Sequence, residues 1–163
     1  MKIQLLSIVL LFSTLIHGQT TKPKIGSDTA IKENFIKIKN GLPDIKNNLV
    51  EKRSDTYLPK ISLGNAGSYK DDKGDQTLSF TYSTDGYSGT DEDFQNYYKT
   101  LVSLAKEVFG DVYAPSSNQV GNIRRTMFFE PGKDYYTSPT IIYFKCDPNS
   151  YIKITVEIIR KGR

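Results

Sequence analysis

The chain has 163 residues, 22 of them basic and 18 acidic, for a formal net charge of +4, with one histidine, one cysteine and no tryptophan. That positive excess is mild and scattered, with short clusters such as Arg124-Arg125 and the tail Arg160-Lys161-Gly162-Arg163, whereas a nucleic-acid binder gathers its cations on one face or in runs. A single cysteine forms no internal disulfide, so the fold must hold by packing alone.

The first element is a targeting segment. Met1-Lys2, an apolar run from Ile3 to Ile16 and then His17-Gly18-Gln19 have the order of a charged n-region, an h-region and a small residue at a cleavage point. Residues 1–18 are therefore expected to be a cleavable secretory signal. The apolar run is too short for a permanent anchor, which needs about 20 residues, so no membrane span is expected after cleavage. No cysteine lies near the cut, so a lipoprotein is not expected, and the mature chain belongs in the periplasm or outside the cell. Loss of Lys2 with the signal takes the net charge from +4 to +3, and loss of His17 removes the sole imidazole. His-based triads and Cys–His dyads need that imidazole as general base, and zinc sites built from Cys and His clusters need ligands the chain lacks. No cofactor and no metal are expected.

Residues 19–26 read as a polar leader, and residues 27–163 as one α+β domain. Ser27-Asp28 offers a helix cap, followed by Ile31, Phe35, Ile38, Leu42, Ile45 and Leu49 on one helical face. Pro43 lacks an N–H and clashes with the preceding turn, so the helix is predicted to break near Gly41-Pro43 and restart as a short second piece. Ser54–Pro59 reads as a connector. Ile61 and Leu63 predict a first strand, residues 64–75 a hairpin loop, and Leu78, Phe80 and Tyr82 a second strand. A further turn-rich stretch covers residues 85–89.

Thr90 with Asp91, Glu92 and Asp93 starts the clearest helix: a cap and three acids stand at the positive end of the helix dipole. Phe94, Tyr98, Leu101, Ala105 and Val108 form its apolar stripe, and Gly110 ends it. A long loop is predicted from Asp111 to Asn122. Three strands follow. In residues 123–130, Ile123, Met127 and Phe129 share the parity expected to face the core; residues 140–146 and 151–159 flank the turn Asp147-Pro148-Asn149-Ser150. The expected order is α-β-β-α-β-β-β: an antiparallel sheet of about five strands, with both helices on one face.

The acidic stretches at Asp71–Asp75 and Asp85–Asp93 lack the ligand spacing of an EF-hand loop, and Lys73 sets a cation among the carboxylates of the first. Cys146 shares parity with Ile142 and Phe144 and is expected in the core. The same parities send Arg124, Phe128, Tyr143, Lys145, Tyr151 and Lys153 to the opposite sheet face. That mixture of aromatic rings and cations is enriched at interface hot spots. The function expected is that of a small exported binding or interaction protein without catalytic activity. Its partner would be a protein outside the cytoplasm, such as an envelope protein, an enzyme it inhibits or a toxin it neutralises. The alternative is a carboxylate-dependent hydrolase of extracellular or cell-wall glycans, which needs only two suitably spaced acids.

Overall fold

A computed structural model describes residues 26–84 and 89–162; the expected signal, the leader as far as Ile25 and residues 85–88 lie outside the described residues. Ser27 accepts a hydrogen bond from the Ala30 amide at 3.3 Å and caps α1 (Asp28–Gly41). All six predicted stripe residues, Ile31 to Leu49, are buried. The break falls where Gly41 and Pro43 indicated. A 3₁₀ turn, Leu42–Asp44, places Pro43 in a first-turn position where its missing N–H is harmless, and α2 (Ile45–Leu49) restarts with Asp44 as its cap. Gly41 is there for space: a Cβ would stand 2.5 Å from Leu49 Cγ.

The third helix, α3 (Asp91–Phe109), opens with a reciprocal capping box. Thr90 Oγ1 accepts from the Asp93 amide at 3.2 Å and Asp93 Oδ2 accepts from the Thr90 amide at 3.0 Å. Phe94, Tyr97, Tyr98, Leu101, Leu104, Ala105, Val108 and Phe109 are buried along it.

Two short strands, β1 (Val50–Arg53) and β2 (Thr56–Pro59), form a separate antiparallel hairpin. The main sheet holds β3 (Ala66–Asp72), β4 (Asp75–Ser83), β5 (Ala114–Val120), β6 (Ile123–Phe129), β7 (Thr140–Cys146) and β8 (Ile152–Arg160). All pair antiparallel in the spatial order β3-β4-β8-β7-β6-β5. The helices cover one face, and their buried stripes join Leu78, Phe80, Tyr82, Ile142, Phe144, Ile154, Val156 and Ile158 in one core. The class is α+β, as the element pattern predicted.

The strand list is longer than predicted. Val50–Pro59 is a hairpin whose turn and second strand fall where a connector, Ser54–Pro59, was expected, and Ile61–Leu63 belongs to no strand. In addition, β3 and β5 occupy segments read as loops. Both added strands are sheet edges, and β5 is exposed along its whole length. An edge strand of Ser, Asn and Gln has no apolar column to announce it; its ladder to β6 makes it a strand. The two-residue loop joining β3 to β4 has positive φ at Lys73 (53°) and Gly74 (97°), the backbone that matches strand twist in a tight hairpin.

A second correction concerns β6. Phe128, expected on the open face, is fully buried among the helix-side residues, and Arg124 shares its parity; Met127 and Phe129 point the other way and are only half-buried. The pairing decides this: Phe128 stands opposite Ile142, Thr126 opposite Phe144 and Arg124 opposite Cys146. Directly opposed side chains share a face. Phe35, Phe109, Phe128 and Phe144 close a ring of edge and tilted contacts with centroids 5.7–6.5 Å apart. Burying Thr126 carries little penalty because its hydroxyl meets Tyr98 and Ser117, each at 2.8 Å. Cys146 is buried as expected, and that burial pushes its thiol pKa up, which disfavours the reactive thiolate.

Candidate functional site

The six residues expected to form one binding face divide into three groups. Arg124 and Phe128 lie on the helix side. Tyr143 and Lys145 do lie on the open face, where Tyr143 stands opposite Met127 and Glu157, and Lys145 opposite Arg125 and Thr155. Lys145 pairs with Asp147 at 3.0 Å. At the end of the sheet, Lys153 is only 15% exposed and donates to Asp91 Oδ1 at 3.1 Å and to the Pro148 carbonyl. It fastens β8 to the start of α3. Tyr151 is exposed beside it. The two lysines of the expected face therefore already hold carboxylates of the chain itself.

The main concavity lies elsewhere, at the end of the sheet where the helix layer stops. Across β4, β8 and β7 the core row Leu78–Ile158–Ile142 is followed by a polar row, Gln76–Arg160–Thr140, on the same face. Helix α1 ends at Gly41, so over this row the helix layer gives way to the 3₁₀ turn Leu42–Asp44 alone. The result is a cleft of about 910 Å³. Gln76, Arg160 and Thr140 form its floor, the end of α1 and the 3₁₀ turn its roof, and Val112, Tyr113 and Glu130 its side.

The charges in this cleft are unevenly satisfied. Lys39 donates to both Asp111 oxygens at 2.6 and 2.8 Å and to the Val108 carbonyl at 2.8 Å. Arg160 donates to the Leu42 carbonyl. Lys161 donates to the Tyr135 carbonyl and lies 4.9 Å from that ring's centroid. Asp44 accepts from the amide and side chain of Asn47 at 3.2 and 2.6 Å, and those bonds hold its carboxyl below the usual range. Burial pushes the Tyr113 phenol up, partly offset by its hydrogen bond with Thr140.

Two acceptors are left over. The buried amide oxygen of Gln76 has no partner, and the half-buried Glu130 carboxylate makes no hydrogen bond or ion pair among the described residues. A buried unsatisfied acceptor costs on the order of 1–3 kcal/mol until something donates to it. Both can accept from an incoming donor.

Sequence reasoning missed this row. The available signal was a polar residue continuing an apolar parity: Gln76 ahead of Leu78, Phe80 and Tyr82, and Arg160 after Ile154, Val156 and Ile158. Such a residue marks where a core column ends. Among the described residues, no three His, Cys, Asp or Glu side chains come together as metal ligands, and no helix is long and apolar enough to cross a membrane. No family model matches the chain, and neither a curated protein nor a solved structure matches it.

Proposed function

We propose that this protein is a non-catalytic binding protein acting outside the cytoplasm, and that the cleft at the end of the sheet takes a donor-bearing segment of a protein partner. A lysine or arginine side chain, or a chain N-terminus, has the required chemistry. The observation that carries this reading is the unpartnered Gln76 oxygen in a cleft whose other side carries the free Glu130 carboxylate. Pockets of this kind, concave with a few convergent polar groups, are the usual places for recognition. The hydrolase alternative is less well supported. Of the two carboxylates lining the cleft, Asp44 is held low by its hydrogen bonds from Asn47, which suits it to the ionised member of such a pair and not to the general acid.

The test is capture from native envelope or culture fluid, quantified by mass spectrometry. Glu130→Gln removes the charge and keeps the shape, and Val112→Trp fills the cleft from a residue that is 42% exposed. Each is expected to weaken capture of the same partner about tenfold or more, in line with leaving one side of a desolvated charge contact unpaired. Tyr143→Ser on the open face is expected to leave capture unchanged. Loss of capture by Tyr143→Ser with full capture by the cleft variants would transfer the site to the open face and sink this reading.

Export has its own check. The intact mass of the protein recovered outside the cytoplasm is expected to correspond to a chain beginning at Gln19. A mass that retains residues 1–18 would overturn the proposed localisation.

A further inference from the structure

At the opposite end of β6 from the cleft, Tyr98, Ser117, Gln119, Arg124, Arg125 and Thr126 line a second, smaller hollow of about 340 Å³. We propose that it is a binding site for an oxyanion, the carboxylate or phosphate group of a small ligand, held by the Arg124 guanidinium and a hydroxyl from the Tyr98–Thr126–Ser117 chain. This goes beyond the cleft reading and does not depend on it.

Two observations on different groups lead there. The first is a proton count. Tyr98, Thr126 and Ser117 carry three hydroxyl hydrogens, and two contacts, each of 2.8 Å, join them through Thr126 Oγ1. Each contact uses one hydrogen, so whichever way the chain is polarised, one O–H is left to donate outward. Tyr98 and Thr126 are both buried and Ser117 is exposed, so the favoured polarisation runs Tyr98 to Thr126 to Ser117 and leaves the spare O–H on Ser117, facing the hollow.

The second is the state of Arg124. Its register opposite Cys146 puts it on the helix side with these hydroxyls, and it makes no hydrogen bond or ion pair among the described residues. The carboxylates nearest Cys146 are already engaged, Asp147 by Lys145 at 3.0 Å and Asp91 by Lys153 at 3.1 Å. No acidic residue lines the hollow. A planar guanidinium with a neighbouring O–H donor matches an anionic oxygen group, to which arginine binds through two parallel bonds.

The test uses inorganic phosphate and acetate as separate probes, at constant ionic strength so that general screening does not change. Binding is read from the concentration dependence of Tm and from NMR shifts of the arginine side-chain N–H groups. The protein is expected to saturate with at least one probe, with a Kd of about 1 mM or tighter. Saturation with phosphate alone assigns a phosphate ligand, with acetate alone a carboxylate, and with both a site for either. Arg124→Gln is expected to weaken binding about tenfold or more, and Ser117→Ala several-fold. Lys52→Gln, a cation removed from the distant β1–β2 hairpin, is expected to leave binding unchanged. If Arg124→Gln fails to fold, Ser117→Ala decides by the same criterion. Absence of saturation with either probe, full affinity in Arg124→Gln, or equal weakening in Lys52→Gln would overturn the proposal.

Discussion

Phe128→Ala is expected to lower the unfolding free energy by about 3–5 kcal/mol, the range for removing a buried phenylalanine ring. The ring is fully buried and touches Phe109 and Phe144, with centroids 6.5 and 5.8 Å away, so its loss opens the four-membered aromatic ring at the centre of the core. Those neighbours come from α3 and β7, two rigid elements that cannot both close on the gap. The neighbouring substitution makes the test specific. Phe129→Ala, on the half-exposed side of the same strand, is expected to cost at most about 2 kcal/mol, since less of that ring leaves water on folding. Urea unfolding of both variants checks the order, provided the denaturant slope stays constant. Equal costs, or a larger cost at Phe129, would mean that β6 is turned by one residue from the register given above.

Leu101→Ala is expected to cost about 2–5 kcal/mol, and the position within that range reports how far the site collapses. Leu101 is fully buried midway along α3. It lies in the stripe that packs the helix on the sheet, where α3 meets β7 and β8. Ser103→Ala, on the exposed side of the helix, is the matched control and should stay within about 0.5 kcal/mol, as surface changes do. A cost near zero at Leu101 would show that the helix turns another face to the sheet.

How far the chain could be read depended on whether each segment carried its own pattern. The stripe from Ile31 to Leu49, the break at Gly41-Pro43 and the Thr90–Asp93 helix start are all local: propensity, capping and steric exclusion act within a few residues. They were legible and they match the fold. The columns of β4, β7 and β8 were legible too, because central strands with one buried face alternate without ambiguity. The edge strands were not. Their residues form a ladder because a neighbour offers one, and that neighbour is distant in sequence.

The binding face failed for a related reason. In residues 123–129, both parities carry bulky apolar groups: Ile123, Met127 and Phe129 on one, Phe128 on the other. Counting favoured the first. The structure takes the second, because Thr126 on that parity finds Tyr98 and Ser117 for its hydroxyl and Phe128 finds Phe109 and Phe144. A shift of one residue reverses every side chain of a strand, so a single tertiary pairing moved Phe128 into the core and Arg124 beside the buried hydroxyls.

By itself, then, the sequence determined the α+β class, both long helices with their caps and breaks, three strand columns and the burial of Cys146. Each follows from short-range sterics or from an unopposed apolar period. Tertiary structure alone decided the edge strands, the facing of β6, the internal pairing of Lys145 and Lys153, and the cleft floored by Gln76 and Arg160. Those features depend on which residues far apart in the chain satisfy one another's hydrogen bonds and charges, and on where the helix layer stops short of the last row of the sheet.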